Sequence, residues 1–325
     1  MEHRFLGRTG LRVSRLALGT LTWYQAGERE AADQLKLFWE AGGTLVDTAD
    51  VYGDGGCEYL LGQLLENLVP REELVIATKA GSVPDAERRF DCSRGHLLSA
   101  LDASLQRLGT DHVDLWQVHA FDTATPLEET LQALDIAVSS GRARYVGVSN
   151  FSGWQLAKAA TWQLAAPGRT PLASTQMEYS LLQRGVEREV LPAALDLGVG
   201  LLPSSPLGRG VLTAKYRHGI PVDSRGASEY LSAFVEPYLD DMASGIVDAV
   251  QTAADGLAAT PLEVALAWVR DRPGVAAPVL GARTAQQLGE ALAVEALTLP
   301  DEINRALDDV SAPLHRYPDH DWSTL

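Results

Sequence analysis

The chain has few cysteines, a shortage of basic residues and no long apolar run, and each shortage excludes a class of protein. Two cysteines among 325 residues, Cys57 and Cys92, are too few for a disulfide framework, and neither stands in a metal-binding spacing. No apolar run reaches the roughly 18 residues that a membrane helix needs, and residues 1–10 contain no signal-peptide core. We therefore expect a cytoplasmic protein that holds no metal and does not enter a membrane.

Basic side chains are also outnumbered, with 27 Lys and Arg against 43 Asp and Glu, for a formal charge of -16. Binding to a nucleic-acid backbone needs a dense stripe of Lys and Arg, so nucleic acid is excluded as an expected partner. The same acidity disfavours anionic membrane surfaces. A small anionic ligand can still bind where a few basic groups and backbone N–H groups converge.

What the chain does contain is a regular alternation of strands and helices. Short β-branched runs recur eight times, and a stretch of helical periodicity follows each, which is typical of a parallel sheet with crossover helices. The predicted strands are 16–19, 45–47, 74–79, 113–119, 145–149, 174–176, 200–203 and 278–281. The length allows two average domains or one large barrel, but the alternation never divides into halves. We predict an α/β fold, a single (β/α)8 TIM barrel domain spanning residues 1–325.

Three segments stand outside this alternation. Residues 1–15 contain the turn Arg8-Thr9-Gly10 and are expected to form a β-hairpin across the barrel floor. Residues 207–243 are rich in Gly, Pro, Ser and Tyr, which predicts a long loop after the seventh strand. Residues 311–325 form a tail after a C-terminal helix that begins at Pro300, and this tail either covers the active-site face or is a disordered terminus.

Four polar residues stand at or just after the carboxyl ends of three consecutive predicted strands. Asp47 ends the second strand and Tyr52 follows it, Lys79 ends the third, and His119 ends the fourth. Catalytic groups of such barrels gather at this face. Each residue alone has a structural alternative: Asp47 as a cap, Tyr52 as a wall, Lys79 as a snorkelling side chain and His119 as a core histidine. Together they favour a catalytic site.

The chemistry of these four residue types suggests a proton-transfer unit. Lys and Asp are seldom buried unless paired, so Lys79 and Asp47 are expected to form a desolvated ion pair. A tyrosine beside the ammonium group is expected to have its pKa lowered from about 10 toward neutrality, and to donate a proton to a substrate oxygen. His119 can hold that oxygen in place.

The motif Asp47-Thr48-Ala49-Asp50-Val51-Tyr52-Gly53, with Lys79 and His119 downstream, resembles the aldo-keto reductases, particularly the group of potassium-channel β subunits and bacterial NADP-dependent enzymes. The resemblance extends from Leu6 to about Val310. It implies NADPH-dependent, reversible reduction of an aldehyde or ketone. In that scheme Tyr52 is the general acid, Lys79 lowers its pKa, Asp47 orients Lys79, and His119 positions the carbonyl.

The chain lacks a Gly-x-Gly-x-x-Gly dinucleotide turn, so a cofactor must be held by loops after the last strands. Residues 205–210 with Lys215, and residues 281–284, combine glycines with basic groups, although as bare patterns they are equally typical of turns. The resemblance implies that NADP(H) is held by Thr20, Asp47, Ser149, Asn150, Gln176, Ser204, Ser205, Pro206, Leu207, Gly208, Gly210, Lys215, Arg225, Gly281, Arg283, Gln287 and Glu290.

Two positions depart from the family pattern. Ser204 stands where relatives usually place an aromatic ring against the nicotinamide, and Ala291 stands where they often have Asn near the adenine. Either change is expected to weaken cofactor binding or to relax the NADPH preference, because a stacked aromatic pair contributes about 0.5–1.5 kcal/mol.

The substrate side is expected to be apolar. Trp23, Val51, Val83 and Phe121 follow strand ends and are predicted, with Tyr52 and His119, to border a neutral carbonyl substrate. Two other functions stay open: a nucleotide-sensing barrel that acts through a partner protein with little turnover, and an aldolase-type barrel in which Lys79 forms a Schiff base. The residues do not choose between a monomer and a homo-oligomer.

Overall fold

A computed structural model describes residues 1–84, 86–222, 224–228 and 232–313, and its strands follow the predicted alternation. An antiparallel hairpin comes first and eight parallel strands follow it. The strands are β1 (His3–Phe5), β2 (Arg12–Ser14), β3 (Ala17–Gly19), β4 (Leu45–Asp47), β5 (Val75–Ala80), β6 (Val113–Val118), β7 (Ala143–Ser149), β8 (Leu172–Glu178), β9 (Gly200–Ser204) and β10 (Val279–Leu280).

The parallel strands curl into a nearly closed barrel in the order β10-β3-β4-β5-β6-β7-β8-β9. A parallel bridge between Leu201 of β9 and Val275, just before β10, joins the two ends of the sheet. The prediction of a (β/α)8 TIM barrel is therefore confirmed. The observed strand bounds differ from the predicted ones by at most two residues.

Helices cover the outside of the barrel. They are α1 (Trp23–Ala26), α2 (Glu28–Glu40), α3 (Gly56–Asn67), α4 (Arg94–Leu108), α5 (Leu127–Ser139), α6 (Gly153–Leu164), α7 (Val190–Leu197), α8 (Ser232–Val235), α9 (Asp241–Leu257), α10 (Pro261–Arg270), α11 (Ala285–Leu292) and α12 (Asp301–Val310). Local sequence sets their ends: Thr260 and Glu263 form a reciprocal capping box at the start of α10, and Gly109 ends α4 with a φ of 63°. In the described part of the chain, no helix has both the length and the apolar character needed to span a membrane.

The hairpin closes the barrel floor, as predicted. Leu6 and Val13 of this segment pack with Leu45, Leu115 and other small or branched residues inside the barrel, all of them buried. The guanidinium of Arg4 donates to the backbone carbonyl of Arg270 at 2.6 Å, and the backbone N–H of Arg8 donates to the backbone carbonyl of Gly198 at 2.7 Å. The polar strand ends therefore open at the opposite, carboxyl face.

The segment after β9 is more structured than the composition indicated. Residues 207–243 contain the 3-10 segment Gly208–Thr213, which is kinked at Arg209 and Gly210, two single 3-10 turns at Arg225–Ala227 and Glu236–Tyr238, and the short helix α8. Helix α9 begins inside the predicted loop at Asp241. Asp240 caps α9, since its carboxylate accepts from the N–H of Ala243 at 2.8 Å. Residues 314–325 of the predicted tail lie outside the described residues.

Candidate active site

Lys79 lies at the centre of the carboxyl face and is fully buried. Its ammonium nitrogen donates to Oδ2 of Asp47 at 2.7 Å, to the carbonyl oxygen of Thr48 at 2.9 Å and to the hydroxyl of Tyr52 at 3.5 Å. These three acceptors use all three hydrogens of the ammonium group. Because Lys79 donates to the Tyr52 oxygen, the hydrogen of that hydroxyl points away from Lys79.

The ion pair keeps Lys79 charged. Burial by itself lowers the pKa of a lysine, but here Asp47 and Tyr52 together raise the pKa of Lys79 above its ordinary value. A Schiff-base lysine must lose its proton before it attacks a carbonyl. The geometry of Lys79 therefore disfavours the aldolase alternative.

The expectation about the pKa of Tyr52 needs correction. Burial raises the pKa of Tyr52 above its ordinary value, and the charge of Lys79, which lowers it, does not outweigh burial. As a result Tyr52 is a neutral phenol at physiological pH, which is the form that a proton donor requires.

His119 follows β6 and faces the ring of Tyr52, with the two ring centres 6.1 Å apart and the planes at 78°. Burial and the charge of Lys79 lower the pKa of His119 to about 3. Its Nδ1 is buried and has no hydrogen-bond partner among the described residues. The imidazole is therefore neutral at physiological pH and carries a single N–H.

Two acidic residues, Glu58 and Asp50, lie near Lys79. The buried carboxylate of Glu58 accepts from the hydroxyl of Thr78 and, at 2.8 Å, from Nε of Arg107. Asp50 is close enough to this carboxylate that burial and the Glu58 charge raise its pKa to about 7. Within the described residues, Oδ1 of Asp50 is buried without a partner.

A cavity of about 310 Å³ extends from Asp47 and Tyr52 to α11. Asp47, Tyr52 and Gln176 line one end, and the amide of Gln176 donates to Oδ1 of Asp47 at 2.8 Å. Most of the predicted cofactor residues line the remainder. They are Ser204, Ser205, Pro206, Leu207, Gly210, Lys215, Gly281, Arg283, Gln287 and Glu290, with Ala291 beside them.

The loop after β9 brings backbone close to this cavity through unusual conformations. Ser205 has a φ of 48°, and Gly210 has a φ of 95°. A Cβ atom on Gly210 would lie 3.0 Å from Nζ of Lys215. Glycine at this position therefore lets the Lys215 side chain approach the loop backbone.

Other predicted cofactor residues do not line the cavity. Ser149 donates from its hydroxyl to the carbonyl of Gln176 at 3.0 Å, and the Asn150 amide donates to the carbonyl of His119 at 3.0 Å. These two side chains thus brace the ends of β6, β7 and β8. Thr20 is buried against Thr48, Gly208 is buried beside Leu182, and the side chain of Arg225 lies outside the described part of the chain.

The cavity also has walls that the sequence analysis missed. Thr22 lines it and donates from its hydroxyl to the carbonyl of Ala282, which ties the loop after β3 to the loop after β10. Arg209 also lines it; this residue lies within the predicted segment 205–210, although it is not among the cofactor residues that the family resemblance implies. Leu262 reaches the cavity from the first turn of α10, and no local pattern marks it.

The predicted substrate wall needs one correction. Trp23 is fully buried, and its indole nitrogen donates to the amide oxygen of Gln34 at 3.0 Å, so it packs beneath the loop and does not border a pocket. Its neighbours Leu21 and Tyr24 are exposed instead.

The other predicted wall residues, Val51, Val83 and Phe121, are half-buried. The Phe121 ring packs edge to face against Phe151, with ring centres 5.3 Å apart, and against Trp154, with ring centres 5.6 Å apart. These aromatic side chains form an apolar rim past the ends of β6 and β7, on the side of the barrel that carries His119.

Comparisons with known proteins identify the family. The family model described as "Aldo/keto reductase family" matches residues 15–312. The chain is 36% identical to the uncharacterized oxidoreductase YrpG of Bacillus subtilis, covering 95% of this chain and 96% of that protein. It is 35% identical to a probable voltage-gated potassium channel subunit beta of Oryza sativa, covering 94% of this chain and 95% of that protein. It is 34% identical to L-glyceraldehyde 3-phosphate reductase of Escherichia coli, covering 89% of this chain and 86% of that protein. The resemblance inferred from the motifs is confirmed, and this chain belongs to the aldo/keto reductase family of oxidoreductases.

Proposed function

We propose that this chain is a cytoplasmic, NADPH-dependent enzyme, acting as one barrel domain, that reduces an aldehyde or ketone to an alcohol in a reversible reaction. One observation carries the proposal: the buried Lys79, paired with Asp47, donates a hydrogen bond to Tyr52 in the wall of a cavity that runs from Asp47 to Gln287 and Glu290 of α11. The substrate is expected to be a neutral, apolar carbonyl compound.

In this proposal Tyr52 supplies the proton. When bound, NADPH supplies the hydride that the carbonyl carbon takes up. The carbonyl oxygen takes the hydroxyl proton of Tyr52, because the incipient alkoxide is a far stronger base than the phenolate left behind. Lys79 stabilises that phenolate through its existing hydrogen bond, and Asp47, 2.7 Å from the Lys79 ammonium nitrogen, keeps this group oriented toward Tyr52. Solvent then returns a proton to Tyr52.

His119 has the role of orienting the carbonyl. Its neutral imidazole, with a pKa of about 3, keeps one N–H that can donate a hydrogen bond to the carbonyl oxygen without competing with Tyr52 as a proton source. The half-buried Val83 and Phe121 border the substrate on the same side. Val51, next to Tyr52, completes this wall.

The residues around the cavity suit a dinucleotide. Gln176 and Asp47 would contact the nicotinamide end, and the loop Ser205–Gly210 with Lys215 would hold the pyrophosphate through backbone N–H groups and positive charge. Arg283, Gln287 and Glu290 would hold the adenosine end, where Arg283 provides a cation for the ribose phosphate. Thr20, Ser149, Asn150, Gly208 and Arg225 would act at the margins of this site.

Stopped-flow oxidation of NADPH with a nitrobenzaldehyde tests the proposal. We expect the absorbance of the reduced nicotinamide to decay in proportion to the aldehyde added, and not to decay when aldehyde is omitted. Binding of NADPH without its oxidation, across a panel of aldehydes and ketones, would instead support the nucleotide-sensing alternative. Failure to bind NADPH would contradict both.

A further inference from the structure

The N-terminus of α11 receives a carboxylate from a different helix. Glu30, in the first turn of α2, accepts a hydrogen bond from the backbone N–H of Ala285, the first residue of α11. Glu30 is half-buried, whereas Glu28 in the same turn is exposed. The free N–H groups of a helix N-terminus attract anions, so here part of that attraction is already used within the protein.

Other N–H groups at this helix end are also occupied. The hydroxyl of Thr284 accepts from the N–H of Gln287 at 3.2 Å, and the side-chain oxygen of Gln287 accepts from the N–H of Arg283 at 3.0 Å. The backbone here therefore has few donors left for a ligand. A phosphate group at this end of the cavity would depend on side-chain cations.

Glu30 is also close to the cavity. Arg283, which lines the cavity, stands two residues before Ala285, so their Cα atoms are at most about 7 Å apart. Gln287 and Glu290 of α11 line the cavity together with Arg283, which precedes the helix, while Gly289 faces Leu37 of α2. The Glu30 carboxylate thus adds negative charge where the proposed function places the adenosine ribose.

We propose that Glu30 sets the discrimination between the phosphorylated and unphosphorylated dinucleotides, a specificity role that rests on the proposed function. Its carboxylate repels a phosphate ester on the adenosine ribose and withholds the Ala285 N–H from it. NADH lacks that phosphate, so the Glu30 carboxylate leaves the affinity for NADH unchanged. Two unit charges a few ångströms apart in a watery cleft interact by enough to change affinity about fivefold.

Glu30→Gln is the informative substitution because it removes the charge but keeps an acceptor for Ala285. Dissociation constants for NADPH and NADH are measured by fluorescence titration for the wild type, Glu30→Gln, Glu30→Ala and Glu28→Gln. The last variant is the matched control, with the same loss of charge on the same helix turn. Titrations with 2′,5′-ADP and 5′-ADP repeat the comparison without the nicotinamide.

We expect Glu30→Gln to strengthen the binding of NADPH about fivefold relative to that of NADH, and to strengthen the binding of 2′,5′-ADP relative to that of 5′-ADP in parallel. Glu28→Gln should leave both ratios of dissociation constants within about twofold of the wild type. Glu30→Ala is expected to change the ratios in the same direction even if its melting temperature falls. Equal changes in the affinity for both dinucleotides, or no change, would overturn the specificity role of Glu30 but leave the proposed function standing. If no variant binds either dinucleotide, the proposed function fails and this role fails with it.

Discussion

The side-chain amide of Gln176 donates to Oδ1 of Asp47 at 2.8 Å, although 129 residues separate the two in sequence. The other oxygen of the same carboxylate accepts from Lys79 at 2.7 Å. Asp47 is therefore held from β8 on one side and from β5 on the other. This double attachment fixes the carboxylate that orients Lys79, and it makes the buried ion pair part of the barrel wall.

Replacing Tyr52 with Phe should remove the proton donor while leaving the ring in place. We expect kcat/KM for aldehyde reduction to fall by about 10²–10⁴-fold, the usual contribution of a positioned acid, with little change in the dissociation constant for NADPH. Steady-state kinetics and fluorescence titration measure the two quantities. Tyr24→Phe, which removes an exposed hydroxyl nearby, is the control. Undiminished turnover in Tyr52→Phe would remove Tyr52 from the acid role.

Replacing Lys79 with Met should leave the Asp47 carboxylate buried without its counter-ion. The expected loss in the free energy of unfolding is about 3–5 kcal/mol, as for other broken buried pairs. Adding Asp47→Asn should recover a large part of this loss because it removes the unpaired charge. Urea denaturation of both single variants and the double variant measures the coupling. Strictly additive losses would argue against the ion pair as a structural unit.

An aromatic ring at position 204 should strengthen cofactor binding. Ser204 lines the cavity. Among the described residues, Tyr52 is the only aromatic residue in the cavity lining. Ser204→Trp is expected to tighten NADPH by up to about tenfold through stacking on the nicotinamide. Ser204→Ala controls for loss of the hydroxyl alone. A weaker or unchanged dissociation constant in Ser204→Trp would count against the stacking argument.

Asp50 should make stability depend on pH near neutrality. Its pKa is raised from 3.8 to about 7, mainly by burial and then by Glu58, so the folded state prefers the protonated carboxyl. As the pH rises from about 4 to 7, the unfolded chain ionises first and folding loses at most about 4 kcal/mol. Asp50→Asn should therefore be more stable than the wild type at pH 8 and equal to it below pH 4. Thermal unfolding from pH 4 to 8 tests this, and parallel curves would contradict it.

Arg209 should hold the segment after β9 against the barrel. Its guanidinium donates to both carboxylate oxygens of Glu178 and to the backbone carbonyl of Phe234. It also lies over the Phe234 ring, 3.8 Å from the ring centre. In Arg209→Met we expect hydrogen exchange at Ser232–Tyr238 to accelerate about tenfold. Arg217→Met, which breaks an exposed pair with Asp248, should leave that segment unchanged. Equal protection in both variants would show that Arg209 does not anchor the segment.

The barrel and its hairpin were predictable because buried parallel strands carry a strong local signal. Runs such as 74–79 are mostly apolar until their last residue, and each observed strand begins and ends within two residues of the predicted position. The polar residue at the end of each run is equally visible. For this reason the sequence alone identifies Asp47, Lys79 and His119 as candidate site residues.

Local patterns failed where burial decided the outcome. Trp23 follows a strand end and has the side chain of a pocket wall, but the packing of α1 against α2 buries it beside Gln34. The pKa of Tyr52 was predicted from one neighbouring charge, whereas desolvation by the whole barrel determines its direction. In neither case does the local sequence carry the deciding information, because burial sums contributions from many elements.

By itself the sequence determined the alternation of strands and helices, the family and the residue types at the strand ends. Only the tertiary structure decided which of those residues meet, because closure of a parallel barrel joins strands that are distant along the chain. The Gln176–Asp47 hydrogen bond, the tie from Thr22 to Ala282 and the contact of Glu30 with Ala285 all depend on that closure. Sequence periodicity reports which side of an element is buried, whereas these pairings depend on strand register and on how the helices pack around the barrel.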